Sequence, residues 1–142
     1  MSQSLPHSPS ERQAKLVERY SIIPDPQERL SAIISRKTTL PGVPEEQRAD
    51  EHLVPGCQSR VWIIGSFRDG HCHFQVEADS ALVRGLVTLL CEVYDGAAPG
   101  EIVATEPELF EKLGIAAILT PTRLNGLAAV RLFLRKSAAA QE

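Results

Sequence analysis

The run from residue 81 to about 94, ALVRGLVTLLCEVY, constrains the fold more than any other stretch of this chain. It is apolar on most of its sides, and a helix without a polar face has to be buried against other layers. The sequence just before it supplies such a layer. Residues 60–67 read as a strand, Arg68-Asp69-Gly70 as a hairpin turn, and residues 71–78 as the antiparallel partner. Asp79 and Ser80 both have the chemistry to cap the buried helix. Two strands alone are marginal, so a third short one is expected within residues 50–54.

More helices flank this unit. Ser10, with Gln13 three residues on, reads as a capping box for a helix reaching about residue 20, with Ala14, Leu16, Val17 and Tyr20 on its apolar side. Asp25-Pro26-Gln27-Glu28 is a stronger start: a cap, proline at the first helical position and an acid in the first turn. That helix carries Leu30, Ile33 and Ile34 on one face and runs to about residue 37. Residues 38–57 form a long irregular stretch with three prolines and two glycines, and one helical turn is expected near residues 45–48. A connection of that length is more often functional than idle. Residues 95–100 read as a loop, 106–113 as a short helix stopped by Gly114, and about 125–136 as the last helix.

The order implies an α+β fold, with a small antiparallel sheet of about three strands packed against several α-helices. At 142 residues the chain is expected to be a single domain over residues 10–137, with a disordered leader (1–9) and a frayed tail (138–142). The net charge of −3, with basic residues scattered, gives no support for nucleic-acid binding. No apolar run spans a bilayer and the first residues lack the marks of a secretory signal, so a cytoplasmic protein is expected. The odd cysteine count, Cys57, Cys72 and Cys91, argues against a disulfide framework.

Cys57 stands apart from the other two. It sits at a Pro55-Gly56 turn, just before a strand, where small residues let a loop lift a thiol clear of the packed layers. The alternative for any free cysteine is a small buried hydrophobe, and Cys91, inside LVTLLCEVY, fits that description. His71-Cys72-His73 lies on a strand, so the histidines share one face and the cysteine takes the other. No local spacing completes a zinc site there; half-exposed histidines beside a packed cysteine are expected, with no metal and no cofactor. Gly85 in the apolar helix implies close approach of helix to sheet, and Trp62 reads as core.

Three blocks resemble the SufE family of sulfur-acceptor proteins: VPGCQSRVWI (54–63), ADSALVRGLVTLL (78–90) and LTPTRLNGL (119–127). With DPQERL (25–30), the resemblance covers nearly all of residues 10–136. His52, where the family commonly has Asn, and Leu124, usually Ser, depart from the pattern on the surface that the resemblance implies faces the partner.

The resemblance implies a fold similar to that of the IscU scaffolds. It also implies that Cys57 accepts persulfide sulfur from a cysteine desulfurase, a pyridoxal-phosphate enzyme, and passes it to iron–sulfur cluster assembly. The chain would then be a sulfurtransferase accessory, a monomer or weak dimer, rather than a stand-alone enzyme. It marks Gly56, Gln58 and Ser59 around the thiol, and Asp79 and Arg123 at a distance, as supporting residues. Arg123 would sit near the thiol, lowering its pKa or meeting the partner, or else be a solvated turn residue; Asp79 would hold that arginine or only cap the helix. Two other functions use the same fold: an iron–sulfur or zinc scaffold built from all three cysteines, and an adaptor that binds the desulfurase without chemistry.

Overall fold

The computed structural model describes residues 8–38 and 40–142. The expected leader therefore lies mostly outside the described residues, but its last residue does not: Pro9 opens helix α1 (Pro9–Ser21). The cap is Ser8, two residues earlier than expected, and Glu11 closes the capping box by accepting from the Ser8 amide at 3.1 Å. Proline at the first helical position favours this start, because its missing N–H would have been unsatisfied anyway. Helix α2 (Pro26–Ser35) begins as expected, with Asp25 accepting from the Glu28 amide at 3.2 Å.

Strands β1 (Val61–Arg68) and β2 (His71–Ala78) form one antiparallel hairpin, registered from Val61 opposite Ala78 to Arg68 opposite His71. Its turn is Asp69-Gly70, both at positive φ, the pairing a two-residue hairpin needs. Val61, Ile63, Cys72, Phe74, Val76 and Ala78 face the core, where helix α3 (Ala81–Tyr94) lies across β2. Ser80 caps that helix, accepting from the Val83 amide at 3.3 Å, so the cap is Ser80 and not Asp79. Every residue of α3 from Leu86 to Tyr94 is buried. Gly85 admits a helix rather than the sheet: a Cβ there would stand 3.0 Å from the Ile34 Cα of α2.

The remaining helices are α4 (Pro99–Ala104), α5 (Leu109–Lys112) and α6 (Pro121–Ala139). Helix α4 falls partly where a loop was expected, and α6 starts four residues early, capped by Thr120 with Pro121 at the first position. The tail does not fray where expected, because α6 continues to Ala139 and Ala138 is fully buried.

The expected third strand shrinks to a single bridge, Leu53 to Trp62, so the sheet has two strands among the described residues. The rest of the irregular stretch covers the back of the sheet. Pro41 accepts from the Val76 amide at 3.0 Å, Gly42 accepts from the Gln75 side chain, and Arg48 stacks on Trp62 while pairing with Glu77 at 3.7 Å. Trp62 is thus buried under this cover, on the face opposite the main core.

Two acidic groups of α3 sit neutral in the interior. Burial pushes the fully enclosed Cys91 thiol far above its ordinary range, and burial raises Tyr94 to about 12. Both native pKa values exceed the unfolded ones, so the resulting stability is complete below the unfolded values and lost as pH rises past them. Urea unfolding at pH 8 and pH 10 should therefore show a lower midpoint at pH 10, a loss on the order of 1–2 kcal/mol. Cys91→Ala should flatten part of that slope; an unchanged midpoint across this range would contradict the assignment.

Candidate functional site

The thiol loop is a closed hairpin of its own. The Val54 amide donates to the Val61 carbonyl at 2.8 Å, and Leu53 bridges Trp62 one step further out. Residues 55–60 are therefore a six-residue excursion from a fixed base, with Cys57 near its tip. Residues 40–54 are fastened across the sheet by the Pro41–Val76, Gly42–Gln75 and Arg48–Glu77 contacts. Gly56 adopts φ +88°, a conformation that L side chains rarely take, and a Cβ there would approach the Ala129 side chain to 3.2 Å.

From this turn Cys57 points back toward the protein. It is half-buried, and its Sγ–H donates to the Gly126 carbonyl of α6 at 3.5 Å. It lines a cleft of ≈ 370 Å³ between the loop, α3 and the start of α6. The apolar wall is Val83, Leu86, Val87 and Leu127; the polar rim is Gln58, Ser59, Thr120, Thr122 and Arg123. Burial raises the Cys57 pKa above its ordinary value, and among the described residues no cation offsets it. The expectation that Arg123 lowers this pKa does not hold in the resting conformation.

Of the residues singled out in the sequence, Gln58, Ser59 and Arg123 come together with Cys57 in this cleft, and Gly56 shapes the turn. Asp79 does not join them. It is exposed, and its amide closes the base of the excursion by donating to the Arg60 carbonyl at 3.1 Å. The wall from α3 was missed, since Val83, Leu86 and Val87 read only as core, although they lie within the second motif block, on the first turns of a helix expected to be buried throughout. Leu127, inside the third motif block, also went unassigned.

The other cysteines are elsewhere. Cys72 faces the core from β2 with His71 exposed and His73 half-exposed on the opposite face, and Cys91 is enclosed within α3. Among the described residues no three of His, Cys, Asp and Glu converge as metal ligands. A scaffold role would need the three thiols at one place. Nor, among those residues, is any helix long and apolar enough to cross a membrane.

Comparison with known proteins places the chain in a family and matches its fold. The family described as SufE, an Fe-S metabolism associated domain, matches residues 14–138. An uncharacterized SufE-like protein of Synechocystis is 37% identical over 113 residues, covering 80% of this chain and 71% of that protein. One from Rhizobium etli is 30% identical over 129 residues, covering 87% of each. The solution structure of a hypothetical protein from Thermus thermophilus shares the fold, with TM-score 0.74 at 20% identity over 95% of this chain and 97% of that one.

Proposed function

Because the chain belongs to the SufE family, whose domain is associated with Fe–S metabolism, we propose that it accepts sulfur on Cys57 from the persulfide of a cysteine desulfurase and relays it to cluster assembly. The observation that carries this reading is the placement of Cys57: one thiol, tethered on a short excursion, resting against an apolar wall. The Cys57 thiolate attacks the outer sulfur of the donor Cys–S–SH. A new S–S bond forms at Cys57, the donor's S–S bond breaks, and the donor cysteine leaves as a thiolate. No electron is gained or lost overall, so the step requires no redox partner.

The resting geometry suits a carrier. A persulfide held against Val83, Leu86, Val87 and Leu127 is shielded from other thiols, while Thr120, Thr122 and Ser59 offer hydroxyl donors to its anionic form. The cleft has room beyond the thiol for that additional sulfur atom. Thiolate formation is unfavourable in this position, and only the thiolate is a good nucleophile. The attacking form therefore belongs to a conformation in which the excursion has swung out, with Val54 and Val61 as its hinge. Arg123, whose guanidinium has no hydrogen bond or ion pair among the described residues, is free to meet the partner or the departing charge.

The function is tested by desulfurase turnover. Adding this protein to the enzyme and cysteine should raise the rate of sulfide release severalfold, and no increase at saturating protein would contradict the proposal. The gating is tested separately by alkylation. At pH 8 iodoacetamide should modify Cys57 at least severalfold more slowly than the same thiol in urea, because burial both raises its pKa and blocks access. Added desulfurase should accelerate the reaction. Equal rates with and without enzyme would discard the gate.

A further inference from the structure

Helix α6 exposes apolar side chains where a surface helix normally presents polar ones. Leu132 is 50% exposed and Leu124 38%, with exposed Ala128 between them at a four-residue spacing that puts all three on one stripe. The stripe is roughly 12 Å long. Beside it runs a second groove of ≈ 330 Å³, formed by Pro55, Ala129, Leu132, Phe133, Lys136 and Ser137. Pro55 belongs to the thiol excursion. The excursion crosses α6 at Ala129, where Gly56 makes its close approach, so this groove lies on one side of it and the Cys57 cleft on the other. Whatever occupies the groove touches the segment that has to move.

The charge around the stripe is one-sided. Helix α6 carries Arg123, Arg131, Arg135 and Lys136 and no acidic residue, in a chain whose net charge is −3. Arg131 is buried against Tyr94; Arg135 and Lys136 are exposed and, like Arg123, lack an ion-pair partner among the described residues. An apolar strip with a cationic border fits a protein surface bearing an apolar anchor and acidic neighbours.

We propose that the Leu124–Leu132 stripe and the Pro55 groove form the docking surface for the persulfide donor, which lifts the excursion by seating an apolar side chain between Pro55 and Leu132. This rests on the sulfur-acceptor reading of Cys57 and adds the face by which the donor is recognised. Leu124, exposed near the start of α6, then extends the apolar contact toward the cleft.

The test measures binding of the 142-residue chain to a cysteine desulfurase from the same organism by calorimetry, with persulfide on Cys57 scored in the same samples. Leu132→Glu should weaken binding at least tenfold, because it places an acid against the donor's apolar anchor. Lys136→Glu, a surface change with no packing role, should weaken it about threefold and make binding less sensitive to salt. Ile22→Glu, at an exposed position on the turn after α1, should stay within twofold of wild type and controls for a general effect of added charge.

If Leu132→Glu and Lys136→Glu both bind like Ile22→Glu while Cys57 still accepts sulfur, the surface is wrong and the acceptor reading stands. If wild type neither binds the enzyme nor gains sulfur, both fall. A wild-type dimer in sedimentation that Leu132→Glu dissociates, with donor affinity unchanged, would make the face a contact between two copies and overturn the proposal.

Discussion

Cys57→Ser should fold, bind the desulfurase with near wild-type affinity, and transfer no sulfur. The substitution changes one atom on a surface excursion whose base is held by the Val54–Val61 hydrogen bond, so stability should change by less than about 1 kcal/mol. The serine hydroxyl can still donate to the Gly126 carbonyl, as the thiol does. A hydroxyl is neither an effective nucleophile at neutral pH nor able to hold the relay persulfide. Sulfide release should therefore fall to the rate of the desulfurase alone. Cys72→Ala and Cys91→Ala should keep the stimulation, because both thiols lie outside the cleft. Full stimulation by Cys57→Ser would remove the chemistry from the proposal and leave an adaptor.

Leu89→Ala should be among the most destabilising single changes in the molecule. Leu89 has no exposed surface, and it lies in α3, the helix that packs against β2, α1, α2 and α6 together. Removing its side chain loses the transfer free energy of the buried carbons and leaves a cavity that the surrounding elements cannot all close around. The expected cost is about 3 kcal/mol, a large share of the roughly 5–15 kcal/mol that holds a domain of this size. Thermal unfolding should occur on the order of 10 °C lower. Leu132→Ala, on the exposed stripe of α6, should cost less than about 1 kcal/mol in the same assay. A similar loss for both would mean that α3 is not the hub of the core.

What the sequence disclosed depended on how local each signal was. Helix α3 and the hairpin before it were read almost to the residue, because their patterning agrees with the burial that tertiary packing imposes. The Asp25-Pro26 start of α2 was equally clear. Thr120-Pro121 carries the same cap-and-proline logic, yet the last helix is read from about residue 125, because Thr122 and Arg123 directly after the proline hide the start of α6. Helix α4 has only six residues; Pro99 at its first position and Glu101, which accepts from the Ala98 amide, are start signals too short to stand out, and Ile102 in the core holds it.

At the candidate site, the thiol and its polar neighbours were visible as a contiguous motif, and Arg123 as a second one. The wall contributed by α3 was invisible for a different reason: an apolar residue lining a cleft and one filling a core look alike until the loop that opens the cleft is in place. Asp79 shows the converse. It lies in a motif block, but the backbone geometry gives the capping role to Ser80 and leaves the Asp79 side chain exposed. Among the described residues its carboxylate makes no ion pair with Arg123.

The most direct test of the account is where the sulfur goes. The protein is incubated with a desulfurase and cysteine, separated without reductant, and weighed intact before digestion and site mapping. The account predicts a gain of one sulfur atom per chain, localised to Cys57, absent without cysteine and removed by a reductant. Unmodified protein, or added sulfur mapping to Cys72 or Cys91, would contradict it.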